Sequence, residues 1–159
     1  MALKQIAGSL QAPDGSHYVT LTDGAGNLGG TAQGSGFSTP PTGVTVLHSS
    51  SGNVAAAVAT ATLTSAASQT AYISGLQITG SGATAGSVVT ATVTGLAGGT
   101  MSITVPVATG ATVGNAPIEL EFYPPLAASA ANTNIVLSVP SLGAGNTNST
   151  VSAWGYRTA

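Results

Sequence analysis

Val89-Thr90-Ala91-Thr92-Val93-Thr94 and, past a Gly98-Gly99 turn, Met101-Ser102-Ile103-Thr104-Val105-Pro106-Val107 decide the fold class of this chain. In the first run Val89, Ala91 and Val93 share one side and Thr90, Thr92 and Thr94 the other. In the second, Met101, Ile103, Val105 and Val107 alternate with Ser102, Thr104 and Pro106. A period of two is the mark of a half-buried strand, because successive side chains on extended backbone point to opposite faces. The same alternation recurs outward in both directions. Upstream lie Val44–Leu47, Val54–Thr64 and Tyr72–Thr79, with Leu76 and Ile78 two apart. Downstream, Ile118, Leu120 and Phe122 alternate with Glu119, Glu121 and Tyr123; Ile135, Leu137 and Val139 follow, and Val151–Tyr156 closes the chain. Glycine-bearing turns at Gly80-Ser81-Gly82, Gly98-Gly99 and Gly143-Ala144-Gly145 separate these runs. About eight strands at this spacing predict an all-β fold, a β-sandwich or jelly roll, over residues 44–159. The exception is Pro124–Asn132, where proline followed by an alanine-rich stretch predicts one or two helical turns forming a crossover between sheets.

Residues 1–43 differ in texture. Leu3, Ile6 and Leu10 form a short apolar stretch, Asp14-Gly15 marks a turn, and Val19 and Leu21 suit one short strand. Asp23–Gly43 is dominated by Gly, Ser, Thr and Pro40-Pro41, a density that excludes a helix. The expectation is an extended N-terminal arm held by neighbouring subunits. In this reading Leu3, Ile6, Leu10, Val19 and Leu21 anchor the arm on a partner.

Composition narrows the function classes. Ala, Gly, Ser and Thr make up 90 of the 159 residues, and only 4% are charged. The charged side chains are Lys4, Arg157, Asp14, Asp23, Glu119 and Glu121, giving a net charge of −2. Ordinary domains carry about a quarter charged residues and use them to keep surfaces apart. A chain this neutral has little defence against self-association, and membership of a larger assembly explains the lack. Nucleic-acid binding is not expected, since neutralising phosphates takes Lys and Arg in number. Cysteine is absent, so there is no disulfide framework, thiolate nucleophile or Cys–zinc site. No apolar run approaches the roughly 18 residues of a membrane span, and Met1–Leu10 lacks the apolar stretch of a signal peptide. Neither membrane nor cofactor is expected.

The candidate chemical motifs are each outweighed by a plainer reading. Gly24-Ala25-Gly26-Asn27-Leu28-Gly29 matches the dinucleotide fingerprint, but no helix can follow it and the next acid is Glu119. His17 and His48, with Asp14 and Asp23, do not make a three-ligand metal set by spacing. Glu119 and Glu121 lie about 6.5 Å apart by strand rise, a separation glycosidases use, yet they project in parallel from one strand. They read instead as a solvated or subunit-facing edge, with Arg157 a candidate partner. No nucleophile-elbow motif is present and no base is placed to activate a serine. Thr60/Thr62/Thr64 and Thr90/Thr92/Thr94 would suit an ice-binding ladder only in a stacked repeat, which the chain lacks. Trp154 and Tyr156 share one face of the last strand and, with Phe122, Tyr123 and Tyr72, are able to stack on sugars if clustered and exposed; a place in the core or a subunit interface is the default. No catalytic residue is expected.

Local wording adds a resemblance. Thr70-Ala71-Tyr72-Ile73-Ser74-Gly75-Leu76-Gln77-Ile78-Thr79-Gly80, the Gly95–Gly99 turn, Ala128-Ser129-Ala130-Ala131-Asn132-Thr133-Asn134-Ile135, and Pro140–Asn148 through Trp154-Gly155-Tyr156 resemble the jelly-roll capsid decoration, or cement, proteins of tailed bacteriophages. Asp23-Gly24-Ala25-Gly26-Asn27-Leu28 is similar to phrases in phage head and tail proteins. The resemblance covers a little over half the chain. It implies a jelly roll, a homotrimer, binding to the major capsid protein and a place on the capsid surface of the virion. It carries no catalytic residue across. The alternative of another class is a tail fibre, neck or spike module that binds a host receptor or glycan through Tyr123, Trp154 and Tyr156. A third, an enzyme such as a depolymerase, would use Glu119 and Glu121.

Overall fold

The computed structural model describes residues 43–110 and 112–159, within a unit that runs from Pro40 to Ala159. Among them every regular element is a strand: β1 (Thr45–Ser50), β2 (Ala59–Leu63), β3 (Thr70–Ser81), β4 (Ser87–Leu96), β5 (Gly99–Val107), β6 (Ile118–Ala127), β7 (Ile135–Val139) and β8 (Asn148–Thr158). They form two four-stranded antiparallel sheets, ordered β1-β8-β3-β6 and β2-β7-β4-β5. β1 pairs with β8, β2 with β7, β3 with β6 and β4 with β5. Such nested pairing makes the chain one long hairpin, folded at the β4–β5 turn and rolled so that successive strand pairs fall in opposite sheets. The β3–β8 and β4–β7 ladders stitch the windings together. This is the β-sandwich that the alternation predicts, with its strands in jelly-roll order.

The core lies between the sheets. Ala59, Ala61 and Leu63 of β2, Ala91 and Val93 of β4, Val105 and Val107 of β5, and Ile135, Leu137 and Val139 of β7 face Ala71, Ile73, Leu76 and Ile78 of β3 and Val151 and Ala153 of β8. Among the described residues alanine supplies seven of the twenty buried apolar side chains, and none of the twenty is aromatic. A core of small residues brings the sheets close and makes each aliphatic side chain in it count for more.

β3 carries the main irregularity. Its inward residues are Ala71 and Ile73, then Leu76 and Ile78, so the parity changes across Ser74-Gly75, where the register with both neighbours shifts. One extra residue in a strand does this. On the β6 side Ile73 pairs with Leu126 and Gly75 with Glu121, leaving Phe122–Pro125 as an excursion opposite the bulge.

Two local expectations are corrected. Pro124–Asn132 forms no helical turn: β6 continues through Ala127, and the amides beyond it are engaged by residues distant in the chain, in both sheets and in the loop before β3. Ala128 N donates to Ala71 O at 2.8 Å, Ser129 N to Gly95 O at 2.8 Å and Asn132 N to Gln69 O at 3.0 Å. Donors engaged this way are not available to a helix, although the segment does cross from one sheet to the other. Val54–Thr64 is likewise not one strand. Val54 bridges Ser149 beside the first sheet, Ala56 takes a left-handed φ of 50°, and β2 of the second sheet begins at Ala59. Leu3, Ile6, Leu10, Val19 and Leu21, together with Asp14, His17, Asp23 and the glycine-rich motif, lie outside the described residues.

Candidate functional site

With the core filled by aliphatic side chains, the aromatics of β3 and β8 stand on the outer face of the first sheet. Strand register places three rungs there. Val46 (β1), Tyr156 (β8), Tyr72 (β3) and Ala127 (β6) form one rung; His48, Trp154, Gly75 and Glu121 form the next; Ser50, Ser152, Gln77 and Glu119 form the third. Inward-facing Val151, Ala153 and Gly155 alternate with outward Ser152, Trp154 and Tyr156, so the parity read from the last strand holds. The core half of the default reading is therefore overturned for Tyr72, Trp154 and Tyr156, whereas Phe122 is half-buried and packs against the core. Trp154 and Tyr156 are half-buried on a sheet surface, and Tyr123, on the β6 excursion, is 85% exposed.

Each rung has its own chemistry. Tyr72 and Tyr156 are stacked, with ring centroids 4.9 Å apart and planes inclined by 15°. Burial, and secondarily the neighbouring Tyr72 phenol, raises the Tyr156 pKa above the ordinary tyrosine value. Trp154 leans across Gly75. A Cβ at position 75 would fall 2.6 Å from Cε2 and Cζ2 and 2.7 Å from Nε1, so the nitrogen-bearing edge of the indole occupies the space a side chain would need. In the third rung Gln77 Nε2 donates to Glu119 Oε1, and Ser152 Oγ donates to Ser50 Oγ at 3.1 Å.

Glu119 and Glu121 are exposed on the outer side of edge strand β6, side by side as the alternation predicts. Arg157 is not their partner. It follows Tyr156 on the strand and so leaves by the opposite face, where Nη1 donates to Thr64 O at 3.2 Å. His48 on β1 is separated from the carboxylates of β6 by the two intervening strands β8 and β3, and no cluster of three His, Cys, Asp or Glu exists among the described residues. The threonine faces belong to the other sheet, where Thr60, Ser138, Thr92 and Ser102 form one hydroxyl rung. A separate apolar cleft of about 350 Å³ lies between the β4–β5 turn, at Leu96 and Met101, and Pro125-Leu126 of β6.

Of the candidate site residues, the structure brings Trp154 and Tyr156 together on one outer face, with Tyr123 projecting from edge strand β6, on the far side of β3. Sequence reasoning missed His48, Gly75 and Gln77 as neighbours of the indole. Gly75 carried a readable signal, since a glycine inside an apolar strand pattern marks a bulge or a close approach. His48 and Gln77 carried none, because their proximity depends on strand register. Comparison of the chain with family models, curated proteins and solved structures finds no match.

Proposed function

We propose that this chain is a non-enzymatic structural subunit of a phage virion, a capsid decoration or cement protein that binds the major capsid protein on the outer shell as a homotrimer and stabilises it. The observation that supports this most is the outer face of the second sheet. β2, β4, β5 and β7 contain no charged residue at all, and their outward positions are Thr, Ser and Val with the single proline Pro106, Val88 being 68% exposed. Free soluble domains separate their surfaces with charge; a neutral hydroxyl-and-methyl face suits standing contact with other subunits. A rigid eight-stranded block gives each copy a fixed shape, and several copies around a symmetry axis multiply weak contacts through avidity. The amino-terminal segment, through Leu3, Ile6, Leu10, Val19 and Leu21, supplies anchors to the shell, each contributing about 1.5–3 kcal/mol when fully buried.

The test is co-sedimentation of the purified chain with undecorated capsid shells, alongside light scattering of the free chain. The expected result is saturable binding by a trimer, and weaker or no binding once residues 1–20 are deleted. A monomer that stays in the supernatant refutes the assembly reading, and a truncated chain that decorates with full affinity refutes the anchoring role.

A further inference from the structure

The aromatic face of the first sheet is not accounted for by assembly. Protein interface cores gather aromatics but exclude charge. Here an exposed carboxylate, Glu121, occupies the same rung as the Trp154 indole, and Glu119 the next. The rings are also not a continuous apolar patch. The Trp154 rung lies between a tyrosine pair on one side and a wholly hydrogen-bonding rung, Ser50, Ser152, Gln77 and Glu119, on the other. The ligand complementary to this order has an apolar C–H face to lie on a ring and hydroxyls at its rim. The π-face of an aromatic ring is electronegative and attracts the weakly positive C–H groups of a saturated ring, while carboxylates and amides take up hydroxyl hydrogens. With two exposed carboxylates beside the indole and Arg157 directed to Thr64 on the opposite side of the strand, an anionic ligand is disfavoured.

We propose that the outer face of β8, β3 and β6 is a carbohydrate-binding site, in which a neutral pyranose lies on Trp154 between the Tyr72–Tyr156 pair and the polar rung of Gln77 and Glu119, with Glu121 accepting from its hydroxyls. Gly75 is the positioning residue: only without a side chain there does the indole lie across β3. The inference is independent of the assembly reading, since a decoration subunit and a fibre, neck or spike module would each present such a site outward, and its failure would leave that reading untouched.

Trp154 is the sole tryptophan of the chain, so its emission reports directly on the site. The full chain is screened on an array of neutral glycans that includes malto-, cello- and N-acetylated chito-hexaose, with oligogalacturonate as the acidic comparison, and positives are titrated by fluorescence and calorimetry. The expected result is saturable binding of a neutral glycan with a shift in emission, and no binding of oligogalacturonate. Trp154→Ala, read by calorimetry, should weaken binding about tenfold or more. Glu121→Gln and Gly75→Ala should weaken it by smaller factors while the protein remains folded, and Thr90→Ala on the other sheet should leave it unchanged. Retention of no neutral glycan, or equal affinity for oligogalacturonate, overturns the proposal. So does an emission shift that follows protein concentration alone, which would make the face a contact between copies.

Discussion

The two sheets share one interior and present two different exteriors. Facing inward, both contribute aliphatic side chains and alanine to one core. Facing outward, the first sheet carries Tyr72, Trp154 and Tyr156 together with Glu119 and Glu121, whereas the second carries hydroxyls and methyls and neither a charge nor an aromatic ring. The nested pairing makes this segregation attainable. Because successive strand pairs alternate between sheets, β3, β6 and β8, far apart along the chain, lie side by side, and their outward residues meet. The interior is constrained by the hydrophobic effect and close packing. The exterior is constrained only by what touches it, so a difference between exteriors is where function is to be sought.

The seam between β3 and β8 is the place where this comparison breaks most completely. A Cβ on Gly155 would fall 1.9 Å from Tyr72 O, a backbone atom that cannot move without parting the strands that carry the aromatic face. Gly155→Ala is expected to abolish native folding, seen as loss of a cooperative transition by circular dichroism. Next in size are truncations of the shared interior. Ile73→Ala in the first sheet and Leu137→Ala in the second, both fully buried, should each cost about 2–5 kcal/mol in denaturant unfolding. Similar losses support the equivalence of the two inner faces, and a large disparity contradicts it.

Asn146 comes third; it lies in the β7–β8 connection, just before the first sheet's β8. It is 2% exposed, and its Nδ2 donates to Ser81 O at 3.0 Å and to Asn148 O at 2.8 Å, tying the end of β3 to the start of β8. Asn146→Ala leaves those carbonyls without their donor and should cost about 1–3 kcal/mol. The fourth effect separates the exteriors by pH. Tyr156 has a raised pKa in the folded protein, so between the unfolded and folded values the native state holds a proton that the unfolded chain has released. Its contribution to stability is present below about pH 10 and is lost as pH climbs through the raised value. The melting temperature should therefore fall in that alkaline window, and Tyr156→Phe should remove this component of the fall. Smallest of all, Thr60→Ala and Thr90→Ala on the second exterior should change stability by less than about 0.5 kcal/mol. A larger effect would show that the hydroxyl face carries structural weight of its own.

Much of the architecture is legible in the sequence, and the illegible parts share a cause. The pattern Val89/Ala91/Val93 against Thr90/Thr92/Thr94 names which side of β4 is inside because alternation is a property of a single strand. The same rule told correctly that Trp154 and Tyr156 share a face, and that Glu119, Glu121 and Tyr123 share another strand's outer side. It failed where a segment's hydrogen bonds go to distant residues. Val54–Thr64 alternates without interruption, yet its first half lies against Ser149 in one sheet and its second half pairs with β7 in the other. Pro124–Asn132 has the composition of a helical turn, yet its amides are claimed by Ala71, Gly95 and Gln69. For the candidate site the division is the same. The aromatic residues were visible in the sequence, while the placing of His48, Gly75 and Glu121 on the rung of Trp154 was not.

The amino-acid sequence by itself determined that residues 44–159 are built of strands, which side of most strands is buried, and that the chain is almost without charge, since each of these follows from residue type and a two-residue period. Tertiary structure alone decided which strands neighbour one another, and hence that a tryptophan, a glycine, a histidine and a carboxylate from four strands stand in one row. The physical reason is that backbone ladders join any extended segments with nearly equal ease, so pairing is chosen by how the whole set of inner faces packs into one core, a sum over residues far apart in the chain.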